Sequence, residues 1–254
     1  MRSRIRCLLL VTTVATFFAS LPACRSNDDR TSVAPTAGPP SGLQVLFVGN
    51  SLTYTYDVPA RVRAMADADD DVSIATRDLS RPNFALMDHW ATGSDEVLRT
   101  GAWDVVVLQQ GPSSLSASRE NLIQWTNTWA DLATHLGTRA ALAMVWPDAS
   151  RLFAFDAVSE SYRAAADSAG IGLFPTGEAW RAAWTMEPSL ALYGPDDFHP
   201  SPLGATLAAI SIYRGITGRM PSMAAAARLG IDDVTFATLL AAAAEAHAAF
   251  GIAP

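Results

Sequence analysis

Lysine is missing altogether. All 18 basic residues of this 254-residue chain are arginine, and with 25 acidic ones the formal net charge is −7. The arginine-only usage reads as a base-composition bias and carries no chemistry. The acidity does exclude something: phosphate backbones want a basic face, so no nucleic acid is expected as a partner. Cysteine is almost as scarce, with only Cys7 and Cys24 present. Cys7 falls inside an apolar leader, so a processed chain holds one cysteine and no intramolecular disulfide. No Gly-x-Gly-x-x-Gly or Gly-Lys-Ser/Thr run follows any apolar segment, which argues against a doubly wound nucleotide-binding domain. The cluster Asp67, Asp69, Asp70 and Asp71 lacks the spacing of a calcium loop and reads as a solvated turn. Neither a metal nor a cofactor is expected.

Long apolar runs are few as well. The longest, Cys7 to Leu21, follows Arg2, Arg4 and Arg6, and it is short for a membrane span but of the length of an export signal. It closes in Leu21-Pro22-Ala23-Cys24, which resembles a bacterial lipoprotein cleavage box. Cys24 would then be lipidated and become the first residue, placing the protein in the cell envelope on the periplasmic or extracellular face. Residues 25–42 are rich in Ser, Asp, Thr, Pro and Gly and cannot bury enough apolar surface to order themselves. They read as a tether. Half of the chain's residues are hydrophobic, and residues 43–254 suffice for one domain with a sizeable core, expected to be a monomer.

Within that domain, short apolar runs alternate with longer amphipathic ones, the pattern of βαβ units around a parallel sheet. Strands are expected at Val45–Val48, Val72–Thr76, Asp104–Gln109, Ala140–Val145 and Ile171–Phe174. Helices are expected at Val58–Ala68, Arg119–His135, Phe155–Ala169, Gly177–Ala183, Pro202–Thr217 and Asp232–Phe250. Pro202 sits in the first turn of its helix, where its missing N–H costs nothing.

Two segments carry chemistry. The first apolar run breaks abruptly into Gly49-Asn50-Ser51, which puts the Ser51 hydroxyl at the carboxyl end of a central strand, where open α/β sheets bind ligands. A serine hydroxyl needs a base to take its proton, and imidazole suits the task because its ordinary pKa lies near neutrality. His199 is the candidate base. Asp196, three residues earlier, can turn its carboxylate onto the imidazole, which the adjacent Asp197 is less well placed to do. Taken alone, Ser51 could be a helix N-cap and His199 a surface residue; together with Asp196 they fill three complementary roles. His135 and His247 read as helix residues, the former suited to a helix carboxyl end.

Gly49-Asn50-Ser51 early, and Asp196-x-x-His199-Pro200-Ser201 followed by Gly204 late, resemble the first and last blocks of the SGNH/GDSL hydrolases. The resemblance implies a flavodoxin-like three-layer α/β/α sandwich on a mainly parallel five-stranded sheet. It also implies an esterase, lipase or thioesterase activity through a Ser-His-Asp triad and an acyl-enzyme. The family supplies two further oxyanion donors, a glycine N–H after the second strand and an asparagine side chain after the third. Here the first of those segments reads Leu79-Ser80-Arg81-Pro82-Asn83-Phe84, with Asn83 the best positional match, and the second reads Val107-Leu108-Gln109-Gln110-Gly111-Pro112. A Gln amide can donate as Asn does. Strand alternation sends Gln109 and Gln110 to opposite sides; Gln109, which ends the apolar run, is preferred. The Ser51 N–H is the remaining donor of the oxyanion hole.

Tyr54 and Tyr56, which follow the nucleophile, together with His89 and with Trp146 at the end of the fourth strand, are candidates to border the substrate. Each also has a plain packing role. The expected substrate is a small-molecule or polysaccharide-linked ester, O-acetylated glycan among them. The rival reading is a non-catalytic glycan- or acyl-binding module on the same fold, favoured by the missing Gly and Asn of the middle blocks.

Overall fold

The computed structural model describes residues 42–253. The expected export leader, Cys24 and nearly all of the expected tether lie outside them. The architecture grows from five short strands: β1 (Leu43–Val48), β2 (Ile74–Asp78), β3 (Val105–Leu108), β4 (Arg139–Ala143) and β5 (Gly172–Phe174). All pair in parallel in the order β2-β1-β3-β4-β5. The central strands are buried on both faces, which is why β3 reads Val-Val-Val-Leu with no alternation. β2 lies at the edge and exposes alternate residues.

Ten α-helices among the described residues accompany the sheet. They are α1 (Ser51–Tyr54), α2 (Val58–Ala66), α3 (Leu86–Ala91), α4 (Asp95–Thr100), α5 (Ser116–His135), α6 (Phe155–Ala169), α7 (Thr176–Met186), α8 (Pro202–Thr217), α9 (Ala224–Leu229) and α10 (Asp233–Phe250). On one side α5 packs on α6 and α3 on α5; on the other, α2, α7 and α10 pack around α8. This is the expected three-layer α/β/α sandwich with a five-stranded parallel sheet.

α8 is the most buried helix, and Ser201 starts it by accepting from Leu203 N and Gly204 N at 3.1 and 3.0 Å, with Pro202 at its first position. Gly204 lets the helix meet the layer below, since a Cβ there would stand 2.1 Å from the Leu192 carbonyl oxygen. Among the described residues no helix is long and apolar enough to cross a membrane.

From β1 the chain steps to one side to form β2 and later returns to β3 on the other side. The crevice between the carboxyl ends of β1 and β3 is therefore the topological switch point, where ligands bind in open α/β sheets. Ser51 follows β1, and Gln109 and Gln110 follow β3.

Candidate active site

Ser51 is the first residue of α1. Asn50 caps the helix with extended backbone, its Oδ1 accepting from Leu52 N at 3.0 Å. The turn before it is tight: a Cβ on Gly49 would come within 2.5 Å of Thr53 Oγ1 and 2.7 Å of Gln109 Oε1. The Ser51 N–H has no hydrogen-bond partner among the described residues, as expected of a first helical N–H.

The Asp196–His199 pair is formed. His199 Nδ1 lies 2.5 Å from Asp196 Oδ2, and Asp196 Oδ1 accepts from His199 N at 3.0 Å and Phe198 N at 3.2 Å. The imidazole bond and these amide bonds hold the Asp196 carboxyl down to about 2. Asp197 takes a left-handed backbone (φ 57°), and its carbonyl is bound by Ala149 N at 2.9 Å. Asp196 is thus the carboxylate that meets the imidazole. Among the described residues neither His199 Nε2 nor Ser51 Oγ makes a hydrogen bond. Catalytic hydrogen bonds of this kind are often long before substrate binds.

The loop bearing the pair is fastened to the sheet edge. Trp146 Nε1 donates to the Phe198 carbonyl at 3.0 Å, and Tyr193 Oη donates to the Pro147 carbonyl at 2.6 Å. Trp146 is 1 % exposed and stacks on Trp180 with ring centroids 3.7 Å apart. It braces the loop from inside and lines neither of the two concavities described below, contrary to the sequence expectation that it borders the substrate.

His89 departs from expectation in the same way. It is fully buried, its Nε2 2.7 Å from the Gly49 carbonyl oxygen and its Nδ1 3.3 Å from Ser94 Oγ. Burial pushes its pKa down, so the neutral ring donates to Gly49 and accepts from Ser94. It holds the Gly49-Asn50-Ser51 turn from behind. Tyr54 ends α1, exposed, and lines neither of the concavities described below.

The two glutamines divide in a way the strand pattern does not reveal. Gln109 Oε1 accepts from Asn50 N at 2.8 Å and Thr53 Oγ1 at 2.9 Å, while its Nε2 donates to Asn50 Oδ1 at 3.0 Å and to the Gln110 carbonyl at 2.6 Å. Both amide hydrogens are spent inside the fold, so the glutamine preferred from the sequence as oxyanion donor is a brace for the Gly49-Asn50-Ser51 turn. Gln110 faces the cavity. Its Oε1 accepts from Leu86 N at 3.3 Å and its Nε2 donates to Ser113 Oγ at 3.1 Å, leaving one amide hydrogen without a partner among the described residues. Neither Ser113 nor Thr53 was singled out from the sequence; a hydroxyl three residues after Gln110 was the only local signal.

Asn83 sits at the third position of a turn closed by Phe84 N to the Arg81 carbonyl at 3.3 Å, after Pro82, with φ 59°. This is the left-handed position of a Pro-x turn, which glycine fills most easily and asparagine tolerates better than other residues. Its N–H makes no hydrogen bond within the described residues.

Asn83, Gln110 and Ser51 all line one cavity of about 730 Å³, whose far wall is built from the 111–121 and 147–154 segments. The three residues that carry an unpaired donor among the described residues, the N–H of Ser51, the N–H of Asn83 and one Nε2–H of Gln110, thus line one cavity. Among the described residues no cluster of three or more His, Cys, Asp or Glu could hold a metal ion.

Structural comparison places this arrangement in context. A DUF4886 family protein from Bacteroides uniformis shares the fold at a TM-score of 0.67 and 17% identity, over 81% of this chain and 94% of its own. A protein of Slackia heliotrinireducens assigned to the SGNH hydrolases matches at 0.58 and 22%, over 68% and 98%. The fold is that of the SGNH hydrolases. A catalytic mutant of an acetylxylan esterase from Geobacillus stearothermophilus matches at 0.52 and 14%, over 76% and 96%. No protein-family model and no curated protein matches the sequence.

Proposed function

We propose that the protein is a serine hydrolase of the SGNH type that cleaves carboxylic esters through an acyl-enzyme. The observation that carries this reading is the 2.5 Å Asp196–His199 pair, held on the same sheet edge as a helix-starting serine whose own N–H is free. Ser51 Oγ attacks the ester carbonyl, and His199 Nε2 takes its proton. Asp196 fixes the imidazole tautomer and stabilises the imidazolium. The oxyanion is met by the N–H groups of Ser51 and Asn83 and by Gln110 Nε2. The acyl group then leaves Ser51 by attack of water, activated by the same histidine.

The fold likeness to an acetylxylan esterase supports a glycan ester among the substrates, and the arginine-led apolar leader ending in Cys24 supports export with a lipid anchor. A fluorophosphonate bearing a reporter tests the nucleophile without a guess at the substrate. Labelling of the chain at Ser51, lost in a folded Ser51→Ala variant together with hydrolysis of a short-to-long acyl ester panel, is the expected result. Folded protein that neither labels nor turns over any ester would leave a binding module as the better reading.

A further inference from the structure

Ser51 and His199 open onto different concavities. Ser51 and the oxyanion donors line the cavity of about 730 Å³, while His199 and Asp196 line a second one of about 390 Å³, walled by Thr55, Tyr56, Pro195 and Pro200. Phe198, the residue before the imidazole, lines the first. If the triad acts as read above, on which this inference rests, the division sorts the two halves of an ester. When the tetrahedral intermediate collapses, the bond from carbon to the alcohol oxygen breaks and the carbonyl re-forms. The imidazolium Nε2 proton passes to the departing oxygen, and the acyl group stays on Ser51 Oγ. The departing oxygen must therefore lie within hydrogen-bond reach of His199, and the alcohol it carries must continue into space that the imidazole borders.

We propose that the smaller concavity is the leaving-alcohol site, with Tyr56 as its platform, and that the acyl portion occupies the larger cavity. The wall suits a ring-bearing alcohol. Tyr56 is 47% exposed, and its phenol, like the Thr55 hydroxyl, makes no hydrogen bond among the described residues. A concavity lined by an exposed tyrosine ring, two prolines and the Thr55 hydroxyl matches a cyclic alcohol with an apolar face and polar edges.

The backbone holds the ring there at a cost. Tyr56 and Asp57 are consecutive left-handed residues, with φ 58° and 50°, a conformation that persists only where its surroundings impose it. They are imposed by Arg61 Nε on the Tyr56 carbonyl at 2.8 Å and by the Asp57 carboxylate capping α2 through Ala60 N at 2.9 Å. Arg61 is itself tied to Thr206 of α8 at 2.9 Å.

The test is a two-by-two set of esters, acetyl and octanoyl, each on ethanol and on a cyclohexanol or pyranose alcohol, with acylation and deacylation resolved by rapid mixing. Tyr56→Asn tolerates the left-handed backbone and removes the ring, and Tyr56→Phe keeps the ring; a urea midpoint checks the fold of both. Tyr56→Asn should lower the acylation rate with the cyclic alcohol about three- to tenfold more than with ethanol, whichever acyl group is used. Deacylation should not change, because the alcohol has gone by then. Tyr56→Phe should keep the preference for the ring. Asn121→Trp, which narrows the large cavity, should discriminate by acyl chain and not by alcohol. A Tyr56→Asn effect that follows the acyl group, or is equal for both alcohols, overturns the assignment while leaving the esterase intact. A wild-type chain inactive on all four esters overturns the esterase reading and this inference together.

Discussion

Gln109 and Gln110 are adjacent, chemically identical and both buried, yet they occupy opposite sides of the site, and that difference is measurable. Removing the Gln110 amide takes one donor from the oxyanion, so Gln110→Ala should lower kcat about a hundred- to a thousandfold with a modest loss of stability. Gln109→Ala strands the Asn50 N–H and the Thr53 hydroxyl, whose acceptor it supplies, and should cost about 2–4 kcal/mol in a urea titration. Inactivity in a stable Gln109→Ala beside near-normal turnover in Gln110→Ala would reverse the two roles. The carboxylates divide in the same way. Asp196→Asn should cut kcat about a thousandfold or more without loss of fold, whereas Asp197→Asn, whose carbonyl and not its carboxylate is used, should retain most turnover. Equal losses in both variants would sink the assignment.

Secondary-structure elements explain both what the sequence disclosed and what it hid. The interior strands were legible because a parallel strand covered on both faces is a run of branched apolar residues. That same uniformity removed the in-out alternation that would have told Gln109 from Gln110. The answer lies in partners 56 and 59 residues away, Thr53 and Asn50. β2 was expected at Val72–Thr76 and forms at Ile74–Asp78, since an edge strand's polar residues blur its apolar outline.

The short helices α1, α3, α4 and α9 were not foreseen. Pieces of 4 to 6 residues do not form on propensity and owe their existence to what they pack against. His89 and Trp146 were visible as candidates, but both are drawn inward, His89 by a backbone carbonyl of the nucleophile turn and Trp146 by one of the catalytic loop. The second of these contacts yields a prediction at the level of the loop. Trp146→Phe preserves an aromatic stack on Trp180 and removes the donor to the Phe198 carbonyl. The loop should loosen, lowering kcat about tenfold with KM little changed, and a spectroscopic probe of the His199 ring should report greater mobility. An unchanged kcat would mean that Tyr193 and the Gly194–His199 backbone bond hold the loop unaided.

The whole molecule should also lose stability as it is acidified, through two histidines outside the proposed triad. Burial is the main cause that lowers the pKa of His89 and of His247 below the ordinary 6.5. His89 donates to the Gly49 carbonyl and feels Arg81, Asp88 and Asp78. His247 on α10 lies against the Ser211 carbonyl of α8 and feels Arg214. A lowered folded pKa means that the unfolded chain binds more protons, so stability rises with pH. The stabilisation is complete above about 6.5 and is lost as pH falls from there towards the folded values. Asp196 contributes in a separate window, between its ordinary 3.8 and about 2, where protonation breaks its bond to His199. Urea midpoints measured from pH 8 down to pH 5 should therefore decline below about pH 6.5. The slope in that range should be shallower in a His89→Gln, His247→Gln double variant, whatever its absolute stability. A wild-type midpoint that stays level from pH 8 to pH 5 would show that neither ring is held neutral by the fold. The brace behind Gly49 would then have to work with a charged imidazole.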